Sequence, residues 1–186
     1  MTRGSFSPRI NHVAISVDAE VMDDAGRADL LRFFSEVFGW VEGDNSTEKG
    51  NPLILYTGSL GQFLYLLPAT EEFMVTPNMD HFGLEVSSKE ELLELLERVK
   101  AYREKDPRVQ VTDVGAMTTR YGENRYTLTN AYVWFLIPLW IELQHVEQRR
   151  RTSHGYRELR QLRAFVRSAY AGNSDDYDSE WGAAIR

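Results

Sequence analysis

The sequence predicts an α+β fold made of two βαβββ modules, and three features carry that prediction. The first is an internal repeat. Asn11-His12-Val13-Ala14-Ile15-Ser16-Val17 matches Asp80-His81-Phe82-Gly83-Leu84-Glu85-Val86 in type and order: polar, His, apolar, small, apolar, polar, Val. The second is an amphipathic helix after each copy, with Asp29–Val37 aligning with Glu91–Val99. The third is the set of short apolar runs that follows each helix.

Each element has a local reason. The first strand alternates apolar and polar or small residues, the pattern of a strand with one covered face. Gly39 stands where a left-handed C-cap ends the first helix. Ser88 with Glu91 forms a capping box for the second. Strands are expected at Pro52–Thr57 and Gln62–Leu67 in the first module. In the second they are expected at Val109–Val114, Tyr132–Ile137 and Trp140–Gln144. The polar stretches Gly43–Asn51 and Thr118–Asn130 read as loops or hairpin tips. The modules span about 8–70 and 78–146. One sheet face of each is covered by its helix, so the other meets a partner sheet or encloses a cavity.

Composition narrows the functional classes. The chain is 42% apolar and 26% charged, enough apolar residue for a core without crosslinks. It has no cysteine, which excludes disulfides, thiolate zinc sites and cysteine nucleophiles. No apolar run approaches a membrane span, and the N-terminal residues have no apolar signal region, so a cytoplasmic location is expected. The net charge of −7 argues against nucleic acid as a partner. Residues 147–186 read as a tail. Its arginine-rich part has Tyr156, Leu159, Leu162, Phe165 and Val166 on one helical face, and its end is acidic. That face fits packing against the body or a second protomer.

Strand parity then separates the polar residues. Val13, Ile15 and Val17 belong to the helix-covered face, and His12, Ala14 and Ser16 to the other. The same rule puts His81, Gly83 and Glu85 on an open face, and likewise Trp140, Glu142 and Gln144. His12, His81 and Glu142 therefore share the non-helix side. Two imidazoles and a carboxylate suit a divalent ion: Fe, Zn, Ni, Co or Mn. An ion would also satisfy three polar groups that are costly to bury unpaired.

Arg9–Val17, the helix end Phe34-Ser35-Glu36-Val37-Phe38-Gly39-Trp40, the strand Asp80–Val86 and the closing Ile141-Glu142-Leu143-Gln144-His145 resemble the vicinal oxygen chelate superfamily. That family includes glyoxalase I, extradiol ring-cleaving dioxygenases and bleomycin-resistance proteins. The resemblance covers roughly residues 8–146. It implies paired modules forming a cupped mixed sheet, glyoxalase-like, often in a homodimer. It also implies metal ligands at His12, His81 and Glu142, with Tyr65 at the fourth position. Tyr132 falls near the family's active-site tyrosine.

A metal-dependent enzyme would act on a small molecule with neighbouring oxygens, by ring cleavage or by glyoxalase-type isomerase or lyase chemistry. Glu85, on the face of His81, is the candidate general base. Arg120 and Arg125 are candidates for clamping an acidic substrate. Tyr65 and Trp140 are candidates for lining its site. The alternative is a metal-free binding protein of the bleomycin-resistance type, with Trp40, Phe63, Tyr65, Trp134 and Trp140 lining an aromatic cleft.

Overall fold

A computed structural model describes residues 10–44, 52–58, 61–121 and 124–149. The first module comprises β1 (His12–Asp18), α1 (Asp24–Phe38), β2 (Val41–Glu42), β3 (Leu53–Tyr56) and β4 (Phe63–Ala69). The second comprises β5 (His81–Glu85), α2 (Lys89–Lys105), β6 (Gln110–Val111), β7 (Gly115–Tyr121), β8 (Asn124–Trp134) and β9 (Trp140–Arg149).

The two sheets repeat one strand order, β1-β4-β3-β2 and β5-β9-β8-β6, with β7 paired to β8 outside that path. In each, the first strand runs parallel to the last (β1 with β4, β5 with β9), and antiparallel neighbours complete the sheet. Both sheets are mixed, as expected. β1 and β5 each form an edge of their own sheet rather than joining into one.

Burial follows the parity read from the sequence. Ile15 and Val17 are buried, with Leu53, Leu55, Leu64 and Leu66 beside them. Leu30, Phe33, Phe34 and Val37 of α1 belong to the same core. Leu92, Leu96, Val99 and Tyr102 of α2 do the same for the second sheet with Ile141 and Leu143. Phe33 crosses between modules: its ring lies 5.3 Å from Tyr102 and 4.6 Å from Phe135. Arg108 lies over Phe135 and reaches Asp29 of α1.

The helix ends show why they stop and start where they do. Asp23 caps α1 by accepting from Gly26 N at 2.7 Å. A Cβ at Gly26 would fall 1.9 Å from the Val21 carbonyl oxygen, so the turn into α1 needs glycine. Gly39 closes α1 at φ 71°, the left-handed cap its sequence position predicts. Ser88 Oγ accepts from Glu91 N, and the Glu91 carboxylate accepts from Ser87 N.

Three expectations change. Thr118–Asn130, read as a loop, is largely β-hairpin: β7 and β8 pair, with Thr118 and Thr127 hydroxyls 3.1 Å apart. Its β-branched threonines favour strand although its polarity suggests a loop. The strand expected at Tyr132–Ile137 ends at Trp134, because Leu136 turns left-handed (φ 58°) ahead of β9. The one expected at Val109–Val114 shrinks to β6. The described residues fall into two compact units, one from 10–115 with Thr129–His145, and one from Ala116–Leu128 with 146–149. β9 continues to Arg149, past the expected boundary at Val146; the tail beyond it lies outside the described residues. No helix among the described residues is long and apolar enough to cross a membrane.

Candidate functional site

Register makes the two modules comparable residue by residue. His12 pairs with Phe63 and Ala14 with Tyr65; His81 pairs with Trp140 and Gly83 with Glu142. Tyr65 thus occupies in the first sheet the position that Glu142 holds in the second.

On the second sheet His81 and Glu142 come together. His81 Nε2 lies 3.5 Å from Glu142 Oε2. The backbone carbonyl of Met79 accepts from His81 Nδ1 at 2.8 Å, so neutral His81 carries its lone pair on Nε2. Met79 makes that contact from a left-handed backbone, φ 79°. Glu142 is buried, 3% exposed. Asn130 Nδ2 donates to its Oε1 at 2.7 Å and the Tyr132 hydroxyl donates to the same oxygen at 3.2 Å. Gln144 Nε2 donates to Oε2 at 3.2 Å. The Tyr132 ring stands edge-on to His81, centroids 5.1 Å apart.

This neighbourhood biases both charges. Burial pushes the Glu142 carboxyl up, but hydrogen bonds from His81 and Asn130 outweigh it and hold it below the usual glutamate value. The Glu142 carboxylate raises His81 against the opposing effect of burial. The pair is an ion pair when His81 is protonated. The two facing atoms are also a donor set that fits a divalent ion. An imidazole nitrogen and a carboxylate oxygen this close would hold such an ion, which would supply Lewis acidity there. The Met79 contact is the outer hydrogen bond that metal-binding imidazoles commonly have.

His12 is not part of this cluster. Among the described residues, no three of His, Cys, Asp and Glu gather as metal ligands. His12 is exposed, its Nδ1 lies 2.7 Å from Asn11 Oδ1, and its ring stacks on Phe63 at 4.9 Å. That contact too leaves the lone pair on Nε2. A cavity of about 960 Å³ opens between β1 and β5; His12, Phe63, Trp40 and Glu85 are among the residues lining it.

The other candidates are spread out. Glu85 is exposed and stands two residues along β5 from the level of Glu142, roughly 7 Å of strand. Trp140 is buried in register with His81. Tyr65 is half-buried with its ring edge on Phe63. Trp134 is partly buried at the end of β8. Arg120 and Arg125 are exposed on the β7–β8 hairpin, within the second compact unit.

Asn130, Gln144 and Met79 were missed as partners of the site. Asn130 is two residues from Tyr132 on β8, so strand parity would have aligned the two had that stretch been read as strand rather than loop. The Met79 contact has no sequence signal, since it is made by a backbone carbonyl.

No protein-family profile and no curated protein matches the chain. Solved structures do. The genomically encoded fosfomycin resistance protein FosX from Listeria monocytogenes is 19% identical, with 75% of this chain and 94% of that one covered at a TM-score of 0.45. An integron cassette protein from V. Cholerae is 16% identical, covering 75% and 96%, at 0.45. Lactoylglutathione lyase from Agrobacterium tumefaciens is 17% identical, covering 75% and 94%, at 0.44. With the strand order repeated in both sheets, the chain is a pair of βαβββ modules, the second with β7 added, in an α+β fold.

Proposed function

We propose that this chain is a subunit of a divalent-metal enzyme of the vicinal oxygen chelate type. The ion is held by His81 and Glu142 of one copy and by His12 of a second copy in a homodimer. The observation that carries this reading is His81 Nε2 facing Glu142 Oε2 at 3.5 Å, with Nδ1 engaged by a backbone carbonyl. His12 supports the third place: it repeats the position of His81 in the other module and is exposed, also with Nδ1 engaged. Two imidazoles and one carboxylate leave coordination positions open for a substrate.

When bound, the ion supplies Lewis acidity toward two neighbouring oxygens of a small substrate. The chain's residues do the rest. Glu142 contributes negative charge that partly offsets the ion's. His81 gives up its Nε2 proton to become a donor while Nδ1–H stays on Met79. Glu85, on the same face, takes the proton that the substrate releases. Trp140 and Tyr65 flank the substrate.

The test is metal content by elemental analysis after anaerobic purification, with His81→Ala beside the wild type. A stoichiometric ion that His81→Ala lacks supports the reading; iron directs it to ring cleavage, and Zn, Ni, Co or Mn to isomerase or lyase chemistry. Mixed dimers of His12→Ala and Glu142→Gln chains then regain metal only if the site is shared. Absence of metal after reconstitution overturns the reading. It favours sequestration of an aromatic ligand by the open face carrying Tyr56, Phe63 and Tyr65, whose rings meet edge to face.

A further inference from the structure

We infer that Asn130 is a positioning residue for Glu142: with Tyr132 it occupies one carboxylate oxygen and reserves the other for whatever His81 faces. This rests on the reading of His81 and Glu142 as metal donors. The geometry is a closed triangle. Asn130 Nδ2 lies 2.7 Å from Glu142 Oε1 and 3.3 Å from the Tyr132 oxygen, and the Tyr132 oxygen lies 3.2 Å from Oε1. The amide nitrogen donates toward both oxygens. Because Asn130 donates to the tyrosine oxygen, the single hydroxyl proton of Tyr132 is directed at Oε1. Both donors therefore converge on the oxygen that does not face His81.

A buried carboxylate needs donors, but it does not need them on one particular oxygen. Here the remaining oxygen, Oε2, has a single amide contact from Gln144 and the His81 ring in front of it. With Oε1 held, Glu142 would offer an ion Oε2 alone. The coordination position that a two-oxygen carboxylate would fill then remains for the substrate. An amide suits this role because it holds the carboxylate without adding charge of its own.

The experiment uses the full-length protein. Mn(II) is titrated by loss of the free-ion electron paramagnetic resonance signal, and Co(II) is added for its visible absorption. Asn130→Leu removes the amide while keeping the branching and number of side-chain heavy atoms, and Tyr132→Phe removes only the hydroxyl. We expect Asn130→Leu to weaken Mn(II) binding by about 10–100-fold. Its Co(II) absorption should also fall as the carboxylate takes up a second coordination position. Tyr132→Phe should show the same change at smaller amplitude, and it decides the question if Asn130→Leu does not fold. Wild-type Mn(II) affinity and an unchanged Co(II) spectrum in both variants would overturn the inference and leave the metal reading standing. Weaker binding with an unchanged spectrum would also overturn it, since a buried acid losing any partner does that. A wild type that binds neither ion overturns the metal reading and this inference with it.

Discussion

The two modules share a backbone plan and differ in what stands on it. Each has its histidine at the start of the edge strand and a small residue two places on, beside a parallel last strand in the same register. In the second, the residue opposite that small residue is Glu142, buried and held by four neighbours. In the first it is Tyr65, half-buried among aromatics. His81 therefore faces a carboxylate and forms an ion pair with it when protonated, while His12 stacks on Phe63 in the open. Repetition of the fold supplied two equivalent places for a donor pair, and one substitution decides which of them has a carboxylate.

That comparison can be broken at several levels. The largest effect should come from the core they share. Phe33→Ala removes the ring between the helices and should cost about 3–5 kcal/mol, read from urea unfolding, with both modules lost in one transition. Next comes the residue that separates them. Glu142→Gln should reduce Mn(II) affinity more than about 100-fold, whereas Tyr65→Phe should leave it unchanged. Tyr65→Glu should sharpen the contrast by giving the first sheet a weak second site, visible as a second phase in the titration.

A smaller effect depends on pH. His81 is raised above its ordinary 6.5, so its stabilising contribution is fully present below 6.5 and fades as pH rises through the raised value. Glu142 is lowered from 4.5, so its contribution is present above 4.5 and fades as pH falls through the lowered value. Metal-free wild type should thus exceed His81→Gln in melting temperature most clearly between 4.5 and 6.5, and the gap should narrow in alkaline buffer. The smallest effects should be equal in the two modules: Asp23→Ala and Ser88→Ala each remove a helix cap, at about 1 kcal/mol apiece.

The fold was legible because its signals are periodic. Ile15 and Val17 declared the covered face of β1, and Gly39 and Ser88 marked helix ends, all from short-range chemistry. The β7–β8 hairpin was not legible, because Thr118–Asn130 has little apolar alternation and its strand preference comes from threonines and two tyrosines set among polar residues. The site was legible in half. His81 and Glu142 could be paired by parity because β5 and β9 are adjacent. No parity rule brings His12 to them, since β1 and β5 belong to different sheets. Only the part of the hold on Glu142 that Asn130 supplies was hidden with the hairpin that carries it.

Met79 shows what holding His81 still costs the fold. A non-glycine residue in the left-handed region sits roughly 1–2 kcal/mol above its relaxed state. That energy is drawn from a total stability of only about 5–15 kcal/mol. Relaxing Met79 would make the chain sturdier and turn the carbonyl away from His81, leaving the imidazole free to present either nitrogen. The molecule stores a small amount of strain two residues ahead of its histidine, at the residue whose carbonyl accepts from that ring.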